Sequence, residues 1–229
     1  MLKSIHLLTL FLIIFLISCT TSETEKTSEK TQSEIPADEK ANAKKKIILF
    51  FGNSLSAGYG VEADESFPAL IQVRIDSLNL PYTVVNAGVS GETTATGLSR
   101  IDWILENENV DIFVLELGAN DGLRGLPPAE TKKNLISMID RVRKAFPEAT
   151  ILLAGMMVPP SMGQDYGAKY NAIYGQIQKE KNVELIPFLL KDVGGVDSLN
   201  QDDGIHPNPA GAKIVAENVW EVLGPLVRE

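Results

Sequence analysis

The sequence predicts an α/β protein in which a parallel sheet lies between two layers of helices. Short β-rich runs alternate with helical patterns along residues 46–229, the pattern of a parallel sheet with helical crossovers. Several of those runs are apolar at nearly every position, as strands covered on both faces are. No internal repeat interrupts the alternation and no change in composition marks a second domain. About 184 residues follow position 45, enough for one sizeable core.

Lys46 to Phe51 reads as the first strand, apolar after its lysine. Ser66-Phe67-Pro68 starts a helix, with Ser66 placed to cap it and Pro68 suited to its first turn. Leu70, Val73, Ile75 and Leu78 are expected to form its inner face. A second strand covers Tyr82 to Asn86, and a helix Thr93 to Asn107. The third strand, Asp111 to Leu117, is strongly apolar. A helix from Pro128 to Phe146 carries Leu135, Ile136, Ile139 and Val142 at helical spacing. Thr150 to Gly155 gives the fourth strand, Tyr166 to Lys181 a helix, and Val183 to Pro187 a short fifth strand. Pro209 to Leu226 closes the chain as a helix entered through two prolines.

The N-terminus obeys different rules. A basic start at Met1-Leu2-Lys3 leads into an apolar stretch from Leu7 to Ile17 and then Ser18-Cys19. That order describes a secretory signal, and the run is short of the ~20 residues a membrane span needs. Leu16-Ile17-Ser18-Cys19 resembles a bacterial lipobox, so residues 1–18 are expected to be a lipoprotein signal peptide and Cys19 the lipidated residue. Residues 19–45, rich in Thr, Ser, Glu and Lys, are expected to form a disordered polar tether. The expected location is exported, lipid-anchored to a bacterial membrane and facing the periplasm or the cell exterior.

Bulk composition narrows the chemistry. Of the 229 residues, 44% are hydrophobic and 22% charged, and the formal charge is −9. Basic residues form no stripe, which disfavours nucleic-acid binding. Cys19 is the single cysteine, which excludes an internal disulfide and a cysteine-based metal site.

In an open parallel sheet ligands sit beyond the carboxyl ends of the strands, so the loops after the first three strands are the places to search. The first loop reads Gly52-Asn53-Ser54-Leu55-Ser56-Ala57-Gly58-Tyr59-Gly60. A serine flanked by glycines can hold its hydroxyl out at the sheet edge, but such residues also serve as turns or phosphate cradles. It is not the G-x-S-x-G elbow of α/β-hydrolases, because Ser56 stands where the last glycine belongs. The second loop, Gly88-Val89-Ser90-Gly91-Glu92, offers a backbone N–H at Gly91. The third, Gly118-Ala119-Asn120-Asp121-Gly122, offers the amide of Asn120, in a stretch that also reads as a turn.

Histidine is scarce: His6 lies in the expected signal peptide, which leaves His206. It sits in Asp203-Gly204-Ile205-His206-Pro207-Asn208, where a carboxylate three residues ahead can fold back onto the ring and fix its tautomer. A serine, a backbone donor, an amide donor and an Asp-x-x-His on one sheet edge make up the inventory that acyl transfer needs.

These four blocks, in this order from Lys46 to the C-terminus, resemble the signature blocks of the SGNH (GDSL-type) hydrolases. They are most similar to the bacterial branch of periplasmic acyl-CoA thioesterase I, known also for lysophospholipase and arylesterase activity. The resemblance implies a flavodoxin-like three-layer α/β/α sandwich of about five parallel strands. It implies Ser54 as nucleophile, His206 as general base and Asp203 as orienting carboxylate. The oxyanion hole would be formed by the N–H groups of Ser54 and Gly91 with the Asn120 side chain. Such a mechanism requires no metal or organic cofactor. Asn53 departs from the family pattern, which has aspartate there.

The expected reaction is therefore hydrolysis of an acyl ester or thioester, with lysophospholipids and aryl esters among the substrates. Leu123, Arg124, Gly125 and Leu126, with Met156 to Met162 and Met157 in particular, are expected to line the acyl groove. A carbohydrate O-acetyl esterase of the same family is the alternative. A non-catalytic flavodoxin-like binding lipoprotein would leave Asn120, Asp203 and His206 without work.

Overall fold

Five parallel strands form the centre of the computed structural model, which describes residues 45–228. The expected signal peptide, Cys19 and nearly all of the expected tether lie outside the described residues. The strands are β1 (Lys46–Gly52), β2 (Tyr82–Asn86), β3 (Ile112–Glu116), β4 (Thr150–Ala154) and β5 (Glu184–Ile186). Their order is β2-β1-β3-β4-β5, the flavodoxin-like arrangement, which reverses direction between β1 and β3. The register pairs Phe50 with Asn86 on one side and with Val114 on the other. The carboxyl ends of β1, β2 and β3 are thereby brought level.

β1 and β3 are buried at almost every position because helices cover both faces of the sheet. Phe50 meets Phe67 edge-on at 5.5 Å, and Phe51 stacks near Phe113 at 5.7 Å. Removing a buried phenylalanine of this kind typically costs about 3–5 kcal/mol.

On one side lie α2 (Phe67–Ser77) and α7 (Pro209–Leu226); on the other, α3 (Thr94–Asn107), α5 (Pro128–Ala145) and α6 (Gln164–Lys181) pack in sequence. The inner face of α2 is Phe67, Ile71 and Ile75, an i, i+4 stripe that keeps the expected Ile75, with Leu70 packed against the core beside it, whereas Val73 is 63% exposed and Leu78 is 44% exposed. Ser66 stands at the N-cap of α2, but its hydroxyl donates back to the Ala63 carbonyl at 3.0 Å and leaves the cap unmade. Pro68, in the first turn of α2, lacks one of the N–H groups that would need capping.

Two short helices occupy loops in the sequence reading: α1 (Ser54–Ala57) after β1 and α4 (Ala119–Leu123) after β3. Both begin on the site side of the sheet. Among the described residues no helix is long and apolar enough to cross a membrane.

Candidate active site

Ser54 is the first residue of α1, whose N-cap is Asn53: the Asn53 Oδ1 accepts from Leu55 N at 2.9 Å. An N-terminal helical residue has no intrahelical acceptor for its own N–H, and among the described residues the Ser54 N–H has no other backbone partner. Gly58 ends the turn at φ +74°, the left-handed conformation that favours glycine. Ser54 itself is 8% exposed.

His206 reaches Ser54 from the far end of the chain. Its Nε2 lies 2.8 Å from Ser54 Oγ, and its Nδ1 lies 2.7 Å from Asp203 Oδ2. The other Asp203 oxygen accepts from the backbone N–H groups of Ile205 and His206, both at 3.0 Å. Gly204, at φ +74°, permits this fold-back. Some burial works against the Asp203 charge, but these hydrogen bonds and the facing imidazole outweigh it and hold the carboxyl below its ordinary value. The loop is fastened at its base: Gln201 N donates to the His206 carbonyl at 2.8 Å, and Gln201 Nε2 to the Tyr59 carbonyl at 2.7 Å. Beyond it, Asn208 caps α7 by accepting from Ala210 and Gly211 N–H. The Tyr59 ring covers the imidazole at 4.7 Å.

Gly91 adopts φ +84°, and its N–H engages no other backbone group among the described residues. Asn120, in the first turn of α4, donates its amide to the Glu92 carbonyl at 2.8 Å. That uses one of its two N–H bonds and leaves the second. The second loop rests directly on the first: Asn86 Nδ2 donates to the Ser56 carbonyl at 2.7 Å. A Cβ on Gly88 would collide with the backbone of Ala57. Ser54, His206 and Asp203 are thus joined, and Gly91 and Asn120 stand in the two loops beside them.

A groove of about 430 Å³ opens from Ser54 and His206, lined by Leu123, Met156, Met157, Val158, Phe188 and Leu190 among others. That lies within the range of small-molecule sites. Leu123 and Met157 lie where the sequence places them. Arg124 is not among the lining residues: it follows α4 as its C-cap and donates to the Gly91 carbonyl at 3.1 Å. Gly125 and Leu126 lie outside the lining as well, since the chain turns after α4 and the Leu126 carbonyl receives the Tyr166 hydroxyl.

Sequence reasoning missed two groups. Glu116, the last residue of β3, is fully buried, and among the described residues its hydrogen bonds all come from the Ser54 loop. Burial raises its carboxyl to about 7, against the opposing pull of those bonds. The signal was a lone acid inside an apolar strand. Arg100, on α3, forms a two-point ion pair with the nearly buried Glu92 at 2.5 and 2.6 Å. It also donates to the Ala87 carbonyl at 2.8 Å and lies 4.0 Å over the Phe51 ring. Among the described residues no group of three or more His, Cys, Asp and Glu side chains is gathered to hold a metal ion.

A serine, a histidine and an aspartate in hydrogen-bonded series at the β1/β3 end of a five-stranded parallel sheet agree with comparison to known proteins. Residues 50–214 match the GDSL-like lipase/acylhydrolase family. The chain belongs to that family. It is 40% identical over 185 residues to esterase TesA of Pseudomonas aeruginosa, covering 81% of this chain and 91% of that protein. It is 37% identical over 180 residues to thioesterase 1/protease 1/lysophospholipase L1 of Escherichia coli K12, covering 79% and 84%. The crystal structure of the psychrotrophic esterase EstA from Pseudoalteromonas, inhibited by monoethylphosphonate, superposes with a TM-score of 0.76 at 30% identity, covering 81% of this chain and all of that one. As a member of this family the chain is a serine hydrolase acting on ester bonds.

Proposed function

We propose that Ser54, His206 and Asp203 hydrolyse acyl esters and thioesters through a covalent acyl-enzyme. The observation that carries the reading is the unbroken series Asp203 Oδ2–His206 Nδ1 at 2.7 Å and His206 Nε2–Ser54 Oγ at 2.8 Å. The Ser54 proton passes to His206 Nε2 as the Oγ–carbon bond forms. The oxyanion is met by the N–H groups of Ser54 and Gly91 and by the Asn120 amide. Collapse breaks the bond to the leaving alcohol or thiol, which takes the proton from Nε2. Water then attacks, gives its proton to Nε2, and releases the acid as Ser54 Oγ recovers that proton.

The substrate reading is an ester with an apolar acyl chain, of the lysophospholipid or acyl thioester kind. Its support is the aliphatic and methionine lining of the groove and the printed names of the relatives. The lining also holds Phe188, Asn171 and Asn200, so the choice against a carbohydrate O-acetyl esterase rests on the chain-length assay. The full chain would be assayed on aryl esters from acetyl to palmitoyl, beside Ser54→Ala. Activity that peaks at medium or long chains and disappears in the variant supports the reading. Activity confined to acetyl esters overturns the substrate class, and no activity on any ester overturns the hydrolase reading.

We further propose that the enzyme is exported and held at a membrane by a lipid on Cys19, on the strength of the N-terminal sequence. Cys19→Ser should move the protein from the membrane fraction to the soluble one and abolish labelling by a fatty acid. Unchanged fractionation would remove the anchor from the account.

A further inference from the structure

Asn53 sits between two partners that demand opposite things of its amide. Behind it, Glu116 Oε1 accepts from Asn53 Nδ2 at 2.8 Å. Ahead of it, Asn53 Oδ1 accepts from Leu55 N at 2.9 Å and lies 3.4 Å from Ser54 Oγ. The second carboxylate oxygen, Oε2, accepts from Asn53 N at 3.1 Å, Ser56 N at 3.1 Å and Ser56 Oγ at 2.8 Å. Four donors of one loop therefore converge on one buried acid of another strand. The space is filled: a Cβ on Gly52 would collide with Ser56 Oγ and with Glu116 Oε2.

The polarity of this contact decides which way the Asn53 amide faces. With an acceptor behind it, the amide must turn its NH2 backward and its oxygen forward, onto the helical turn that presents Ser54. If NH2 faced NH2 across this contact, the amide would turn over and the cap on Leu55 N would be lost. Two carboxylates held at this distance cannot both be ionised, so an aspartate here would have to share a proton with Glu116. Asparagine removes that need.

We propose that Asn53 and Glu116 act as one amide–carboxylate unit that positions the Ser54 nucleophile, Glu116 being a positioning residue that touches no substrate. This rests on the serine-esterase reading. What the unit requires is one donor and one acceptor facing across the contact, with an acceptor left for Leu55 N. The natural pair meets that requirement, and so does its reversal, Asn53→Asp together with Glu116→Gln. In the reversed pair the introduced glutamine amide donates to the introduced aspartate, whose other oxygen still caps Leu55 N.

The test uses the full chain as wild type, Glu116→Gln, Asn53→Asp and the double variant. kcat and KM are measured on a soluble aryl ester, with competent sites counted by an irreversible phosphonate and folding followed by thermal melts. Glu116→Gln, which sets NH2 against NH2, should lose about tenfold or more in kcat per titrated site, with KM within about twofold, as a misaligned nucleophile does. Asn53→Asp meets the requirement only while it shares a proton with Glu116, and should lose kcat as pH rises. The double variant should recover to within about threefold of wild type. If a single variant fails to fold, the double variant should still fold and turn over. A Glu116→Gln variant that keeps kcat within about twofold overturns the proposal, as does an Asn53→Asp variant whose kcat follows the wild-type pH profile. So does a double variant that is unfolded, or no more active than Glu116→Gln alone. Ser54→Ala separates the two readings: activity surviving there removes the esterase mechanism itself, whatever the Glu116 variants do.

Discussion

The Asn120 side chain donates to the Glu92 backbone carbonyl at 2.8 Å, so an amide in the third loop is aimed by the backbone of the second. Glu92 is in turn fixed through its side chain by Arg100, which also holds the Ala87 carbonyl and reaches the Gly52 carbonyl at 3.4 Å. One guanidinium thus links three segments that would have to keep their relative positions for Gly91 and Asn120 to serve in the proposed oxyanion hole. Lysine offers one compact charge without the fork. Arg100→Lys should lower kcat by about tenfold and leave KM nearly unchanged. Arg100→Ala strands a buried carboxylate and should also destabilise the fold by about 3–5 kcal/mol. Steady-state kinetics with thermal melts check both, and an unchanged kcat in the lysine variant would dissociate Arg100 from the oxyanion donors.

Asp203 holds one tautomer of His206 by accepting from Nδ1. Asp203→Asn can keep an oxygen on the Ile205 and His206 N–H groups but presents an NH2 to the ring. The ring then carries its proton on Nε2, where it cannot receive the Ser54 proton. A loss of kcat on the order of 10⁴ is expected, the scale seen when a triad aspartate is so changed, with the melting temperature nearly unmoved. A loss below about tenfold would mean that the carboxylate does not set the tautomer.

The alternation of strands and helices was legible because β1 and β3 are apolar runs and the helices carry periodic stripes. Ser54, Asn120, Asp203 and His206 were legible because a parallel sheet collects loop chemistry at one edge. The supports were not. Glu116 ends an apolar strand, where an acid ordinarily turns toward water; its burial depends on α1 folding across it, and α1 is only four residues long. Arg100 reads as one polar residue of an amphipathic helix, and its partner Glu92 as a loop acid. Arg124 was misplaced for a related reason: α4 turns the chain within one helical turn, and no periodicity can be read from five residues.

Leu190 lines the groove and is only partly buried, so it can be enlarged with little strain on the core. Leu190→Trp should occupy part of the groove and shorten the preferred acyl chain. kcat/KM for a long-chain aryl ester should fall about tenfold or more, while acetyl ester hydrolysis changes less than about twofold. This is the scale of a few methylenes losing their apolar contacts, at ≈ 0.8 kcal/mol each. A chain-length series decides it: an equal loss for acetyl and long-chain esters would place the acyl chain elsewhere.

The buried carboxyl of Glu116 gives stability a pH dependence of definite sign. Its carboxyl is raised from an ordinary 4.5 to about 7, so the folded state holds that proton more tightly than the unfolded chain does. The resulting stabilisation is complete below about 4.5 and is lost as pH rises through about 7. The difference corresponds to about 3 kcal/mol, at 1.36 kcal/mol per pH unit. Asp203 acts in the opposite sense at lower pH: its contribution is present above its ordinary carboxylate range and disappears as pH falls through its depressed value. Between about pH 5 and 8 the Glu116 effect should therefore dominate the difference between wild type and Glu116→Gln. Melting curves across that range should show wild type losing stability toward pH 8 more steeply than the variant, whose glutamine has no proton to release. Parallel curves would mean that Glu116 keeps an ordinary affinity for its proton despite burial, with the four donated hydrogen bonds offsetting the cost of desolvation in full.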